Sequence, residues 1–256
     1  METQTVSLSV HPQILDLMEA LEQNGLTKQK EDVQSLVGYI ENMESALSVM
    51  MSEMQEMHAE ISRLHDKGIR AKCTQLVSKS EDKIRQVKAM VSTTKKRLIE
   101  AAGNAVKTYK EKGKSALIQA VDAMRIPAAL SRIKGGFSHA AQSMRQSAVQ
   151  LDTIRGELHE VGSHMKNAGR IMLGRPTRQT KALESDKGVL AKLRGFLESC
   201  GRAFERMEHS TDNLLSKTQY DKPKNEERPS VKSELRQIKS AKPEKSKAPM
   251  QKETVR

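Results

Sequence analysis

The chain has 256 residues, of which 44 are Lys or Arg and 32 are Asp or Glu, for a net charge of +12; aromatic residues are 2% and Trp is absent. With so few rings, and with 36% apolar residues against the roughly 45–50% of an ordinary globular domain, a thick core is excluded. Thin seams between helices need only Leu, Ile, Val, Met and Ala, and the fourteen Met residues suit adaptable helix-helix contacts.

Cys73 and Cys200 lie far apart and form no disulfide framework, which points to a reducing compartment. Met1 to Val10 has neither a basic stretch nor the apolar run of a secretory leader. The best uncharged run, Ser115 to Val121, has seven residues, far short of the ~20 a membrane span needs. A cytoplasmic location is expected. Charge is unevenly placed: three basic against eleven acidic residues over 1–65, then seventeen against six over 66–134, thirteen against nine over 135–220 and eleven against six from 221 onward. An acidic head and a basic body suggest mutual pairing or an anionic partner.

In chain order, Pro12 to Asn24 predicts a short helix, with Pro12 in its first turn, Ile14, Leu15, Leu17, Met18 and Leu21 on one face and Gly25 as its cap. Thr27 is the expected N-cap of a second helix. Val33, Leu36, Ile40, Met43, Leu47, Met50, Met54, Met57, Ile61 and Leu64 then recur at alternating steps of three and four, ten successive apolar positions of a heptad. Branched residues at a with Leu or Met at d favour a parallel two-stranded pair. Val37, Tyr39, Ala46 and Met51 widen the stripe, as in a bundle helix. Asp32, Glu44, Glu53 and Glu60 flank it and favour a basic neighbour over an identical one.

Asp66-Lys67-Gly68 interrupts the register. A basic, Ala-rich stretch follows with Val77, Ile84, Val91, Leu98 and Ala105 every seven residues, but Ser80, Thr94 and Thr108 stand where Leu would be wanted. Such a helix is expected to need a partner or stay mobile. Pro127 and Gly135-Gly136 predict a bend. A further seam runs through Leu130, Ile133, Phe137, Ala140, Met144, Ser147, Leu151, Ile154, Leu158, Val161, Met165, Ala168 and Met172, and its stronger part is expected from Met144 onward. Gly174 to Thr177 breaks it, and Leu190, Leu193, Leu197, Cys200, Phe204, Met207, Thr211 and Leu214 mark a last helix. From Asp221 the periodicity ends and Pro223, Pro229, Pro243 and Pro249 sit among Lys, Glu and Ser, the composition of a disordered tail.

Candidate chemistry is thin. His159 and His164 are five apart, which turns the second ring about 140° from the first, whereas helical zinc ligands stand four apart. His58 and His65 share a face but lack a third ligand. Gly113-Lys114-Ser115 resembles the end of a phosphate loop, yet Thr108 stands where the motif needs glycine. Cys200 falls on a d position, where a small apolar side chain packs. No carboxylate pair or Ser-His-Asp set stands out, so no enzyme, cofactor, metal or small-molecule substrate is expected. Lys95, Lys96, Arg97, Lys107, Lys110, Lys112 and Lys114 are candidate phosphate contacts for nucleic acid, although three Phe and three Tyr leave little for base stacking.

Asn24-Gly25-Leu26, Glu31-Asp32-Val33-Gln34-Ser35-Leu36-Val37 and Tyr39-Ile40 with Met43-Glu44 resemble an uncharacterised family of helical proteins of Firmicutes, often carried on mobile elements. The resemblance covers most of residues 10–215 and excludes the tail. It implies a bacterial cytosolic accessory protein and assigns no activity to any residue.

The expected fold is all-α: an elongated bundle of coiled-coil helices with a disordered basic tail. Its parts are an acidic helix pair (11–65), a basic amphipathic segment (66–134), C-terminal helices (135–218) and a tail (219–256). The expected function is a non-catalytic interaction or scaffold protein, whose ten-residue seam at 33–64 meets a protein partner or a second copy. The alternative is a nucleic-acid-associated factor using the basic helices and tail.

Overall fold

The computed structural model describes residues 7–124, 126–179 and 188–220, the last with side chains through Lys217. A short 3-10 turn at Leu8–Val10 precedes six helices: α1 (Pro12–Gln23), α2 (Thr27–Ser62), α3 (Lys67–Lys112), α4 (Lys114–Ala123), α5 (Ile126–Met172) and α6 (Val189–Tyr220). Among the described residues there is no strand, so the fold is all-α, as the heptad spacing predicts.

The breaks between helices have local causes. Pro12 occupies the first turn of α1, where its missing N–H is harmless. Gly25 takes φ +67° after α1, and the Leu26 N–H reaches back to the Leu21 carbonyl at 2.9 Å. Thr27 is the first residue of α2 and not its cap; Leu26 holds the cap position and offers no side-chain acceptor. Asp66 caps α3, its Oδ1 accepting from the Ile69 N–H at 2.9 Å. Gly113 ends α3 at φ +80° and turns the chain into α4, a break inside the segment read from sequence as one helix.

Four long helices alternate in direction. α3 returns along α2, as Lys95–Glu44 (2.7 Å) and His58–Glu81 (3.0 Å) show. α5 runs against α3, with Lys72–Glu157 at 3.5 Å and Ser80 Oγ 3.4 Å from Ser147 Oγ. α6 runs against α5 through Arg194–Asp152 (2.9 Å) and Lys134–Asp212 (2.6 Å). It closes on α2, where the Tyr39 hydroxyl donates to the Met207 carbonyl at 2.7 Å and Lys192 approaches Glu60 at 3.5 Å. This is an up-down-up-down bundle, with α1 and α4 packed on the C-terminal half of α3. α2 alone, at 36 residues, is about 54 Å long.

Several expectations change here. The α2 seam serves an antiparallel bundle within the chain, so the parallel two-stranded pairing is overturned; the wide stripe containing Val37 and Tyr39 was the better guide. Within the basic segment, α3 packs on α1, α2, α4 and α5, and Cys73, Val77, Ser80, Ile84, Val91, Leu98, Ala102 and Ala105 are all buried in it. It needs no partner outside the chain to bury its apolar face. Ser80 is tolerated because it meets another buried hydroxyl, that of Ser147.

Gly135-Gly136 makes no bend: α5 is continuous from Ile126 to Met172, and the boundary expected at 134/135 falls inside it. Gly136 is a point of close approach, since a Cβ there would lie 3.0 Å from Met90 Sδ. Pro127 sits in the first turn of α5. The quality of the α5 seam is also reversed along its length. Leu130, Ile133, Phe137, Ala140, Met144, Ser147 and Leu151 are buried, whereas Val161, Met165 and Met172 lie in solvent. The tail expected at 219–256 lies almost wholly outside the described residues.

Candidate functional site

The seam residues offered as a partner contact are consumed by the chain's own core. Val33, Leu36, Ile40, Met43, Leu47, Met50, Met54 and Ile61 are buried, and Met57 and Leu64 pack partly buried against them. The Phe137 and Phe204 rings pack against each other, tilted by 34° with centroids 6.1 Å apart, so two of the three Phe residues meet between α5 and α6.

The candidate phosphate contacts divide. Lys95 is withdrawn from the surface, its Nζ 2.7 Å from Glu44 Oε2. Lys96, Arg97, Lys107, Lys110, Lys112 and Lys114 are exposed. Lys96, Lys107 and Lys110 share the outward face of α3 by helical spacing. Lys107 and Lys110 border a shallow cleft that Gln13 and Asp16 of α1 and Glu111 also line. Arg97 points to the other flank, and Lys112 and Lys114 bracket the turn at Gly113.

Sequence reading missed a groove between α3 and α5. Its floor is Val87, Met90, Gly136 and Ala140, and its rim is Lys83, Gln86, Arg132, Gly135 and His139. Farther along the same two helices a second groove adds Lys72, Gln75, Lys79, Gln150 and Thr153, with Glu157 beside Lys72. The cations come from helices some fifty residues apart in sequence, and no linear motif joins them. Only the α3–α5 pairing brings them to one face.

The two thiols and His58 lie away from these grooves. Cys73 and Cys200 are buried free thiols. Burial raises both, and Cys200, with Glu53 also nearby, is pushed up to about 12. His58 Nε2 lies 3.0 Å from Glu81. His164 is exposed and His159 partly buried. Among the described residues no three His, Cys, Asp or Glu gather as a metal site, and no helix is long and apolar enough to cross a membrane. The Tyr39 phenol is pushed up to about 12 by burial, in spite of its hydrogen bond with Thr211.

Over residues 10–256 the chain matches the family of unknown function DUF6674. It belongs to that family. The match carries the uncharacterised-family part of the resemblance and extends it through the C-terminal segment; it says nothing of Firmicutes or of mobile elements. No curated protein and no solved structure matches the chain.

Proposed function

We propose that this DUF6674 protein is a non-catalytic interaction protein of the bacterial cytoplasm, an accessory of a mobile element, that works by presenting the outer faces of its bundle to other macromolecules. One observation carries this reading. The two thiols are buried and raised, and His58 is held by Glu81, while the grooves between helices are open and lined by Lys, Arg and Gln. Amine-reactive crosslinking in native cells, read by mass spectrometry, tests it. Inter-protein links concentrated on one face, for example Lys96, Lys107 and Lys110, are the expected result. Purification with a stoichiometric metal or nucleotide, or abundant intrachain links with none to other proteins, overturns it.

A second reading is favoured by the α3–α5 grooves. Lys79, Lys83, Arg132 and His139 form a basic line that fits a phosphate backbone, which is bound without sequence preference and with strong salt dependence. Anisotropy titration of labelled duplex and single-stranded DNA tests it, comparing the full chain with one ending at Tyr220. The expected slope of log affinity against log salt is about −0.9 per phosphate neutralised on duplex. Replacing Lys79, Lys83 and Arg132 by Glu should weaken binding at least tenfold. Binding unchanged by that triple replacement removes the groove from consideration.

A further inference from the structure

α5 outruns the bundle. Lys72 lies beside Glu157 and α3 begins five residues before Lys72; Arg194 lies beside Asp152 and α6 begins five residues before Arg194. Because both helices run against α5, neither reaches past about residue 162 of it. The remaining ten or so residues, to Met172, project about 15 Å beyond the end of their neighbours.

This projection is built in an unusual way for a surface helix. Val161, Met165 and Met172 continue the heptad stripe into solvent at 60%, 74% and 89% exposure. At the apex Ile171 and Leu173 join them at 63% and 72%. The chain after the apex is tied back along the helix. The Gly174 N–H bonds to the Ile171 carbonyl (2.9 Å) and the Arg175 N–H to the Arg170 carbonyl (2.8 Å), with Gly174 at φ +66°. Arg170 Nε donates to the Pro176 carbonyl at 2.8 Å, and the Asn167 amide both accepts from the Arg178 N–H (3.0 Å) and donates to its carbonyl (2.9 Å). Five hydrogen bonds therefore hold three large apolar side chains foremost. None of them packs on anything in the bundle.

Charge selects the occupant. Residues 161–179 contain Lys166, Arg170, Arg175 and Arg178 and no Asp or Glu. Lys166 and Arg170 stand on the flank opposite the Val161–Met165–Met172 stripe by helical spacing, and Arg175 and Arg178 form a collar behind the apex. A second copy would bring like charges together, which opposes tip-to-tip association. A phosphate backbone would be met by cations in front, whereas here the apolar residues lead and the cations follow. That order suits a lipid surface: apolar side chains enter the acyl boundary while Lys and Arg meet anionic headgroups behind them.

We propose that the α5 projection is a peripheral membrane-docking tip, inserting Ile171, Met172 and Leu173 into an anionic lipid surface held by Lys166, Arg170, Arg175 and Arg178. The proposal is independent of the partner reading above, since it concerns the end of the bundle and not its sides.

The test is cosedimentation of the full chain with phosphatidylcholine vesicles with and without phosphatidylglycerol. Binding should be at least about tenfold tighter to the anionic vesicles, given the contribution of each cation near such a surface. Met172→Asp with Leu173→Asp should abolish most of it, as should Arg175→Glu with Arg178→Glu. Both variants alter exposed side chains, so circular dichroism should stay that of the parent. Four outcomes overturn the proposal. They are no preference for anionic vesicles, equal binding by parent and tip variants, a solution dimer that the Met172→Asp, Leu173→Asp variant dissolves, and DNA binding that needs these same residues without vesicle binding.

Discussion

Lys95 and Glu44 meet at 2.7 Å across the α2–α3 interface, with the lysine side chain only 11% exposed and the glutamate 30%. The acidic first quarter of the chain and its basic body are thus stitched together inside one molecule. Breaking a buried pair from one side strands the other charge, at a cost of roughly 3–5 kcal/mol when burial is complete. Glu44 keeps some solvent, so Glu44→Ala should cost about 2 kcal/mol. Urea denaturation checks this, and Glu44→Leu combined with Lys95→Leu should recover most of the loss.

The two ends of the heptad patterns should respond oppositely to truncation. Leu47 and Met54 are fully buried, and Leu47→Ala should destabilise by about 3 kcal/mol. Leu47→Asp with Met54→Asp should abolish cooperative melting by circular dichroism. Met165→Ala, at an equally regular heptad position but 74% exposed, should stay within about 0.5 kcal/mol of the parent.

Adjacent glycines in α5 should separate in the same assay. A Cβ at Gly135 meets nothing within 4 Å, whereas one at Gly136 comes within 3.0 Å of Met90 Sδ and Cε. Gly135→Ala should therefore gain the full helix-propensity benefit, up to about 1 kcal/mol. Gly136→Ala should gain less, and Gly136→Leu should lose about 1–3 kcal/mol by overpacking. Thermal melts of the three variants give the order directly.

Alkaline pH should weaken the fold through Cys200 and Tyr39. Both are raised by burial to about 12, from 9.0 and 10.0, so the native state holds their protons more tightly than the unfolded chain. Their stabilisation is complete below about pH 9 and is lost as pH rises towards 12. The melting temperature should fall steadily over that window, and less steeply in Cys200→Ala. At pH 8 the native Cys200 thiol should react with a disulfide reagent far more slowly than the unfolded one, because burial both shields it and disfavours the reactive thiolate. Reaction rates with and without denaturant measure this.

Much of the helical plan was legible because burial and spacing agree where a helix is enclosed. The ten residues from Val33 to Leu64 pack into one core with Leu197, Cys200 and Phe204. What the sequence concealed follows from two properties of seams. Spacing shows that a stripe exists but not whether anything faces it, so Leu130 and Met165 look alike although one is buried and the other is not. A charged residue reads as surface until its partner is placed, so Lys95 looked like its neighbours Lys96 and Arg97. The α3–α5 groove was hidden for a related reason: Lys83 and Arg132 become neighbours only once two helices are paired.

The contact of the Tyr39 hydroxyl with Met207 and Thr211 joins residues about 170 positions apart. α2, α3 and α5 each lie beside a helix near them in sequence, and such local contacts form with little loss of chain entropy. The α2–α6 junction closes a far larger loop, so of the contacts between long helices it costs the most chain entropy to form. The departure of α6 would uncover Phe137, whose ring packs on Phe204, and free the Tyr39 hydroxyl from Met207 and Thr211. Because one core cluster runs through α2, α3, α5 and α6, loosening that single helix would open apolar surface on the others.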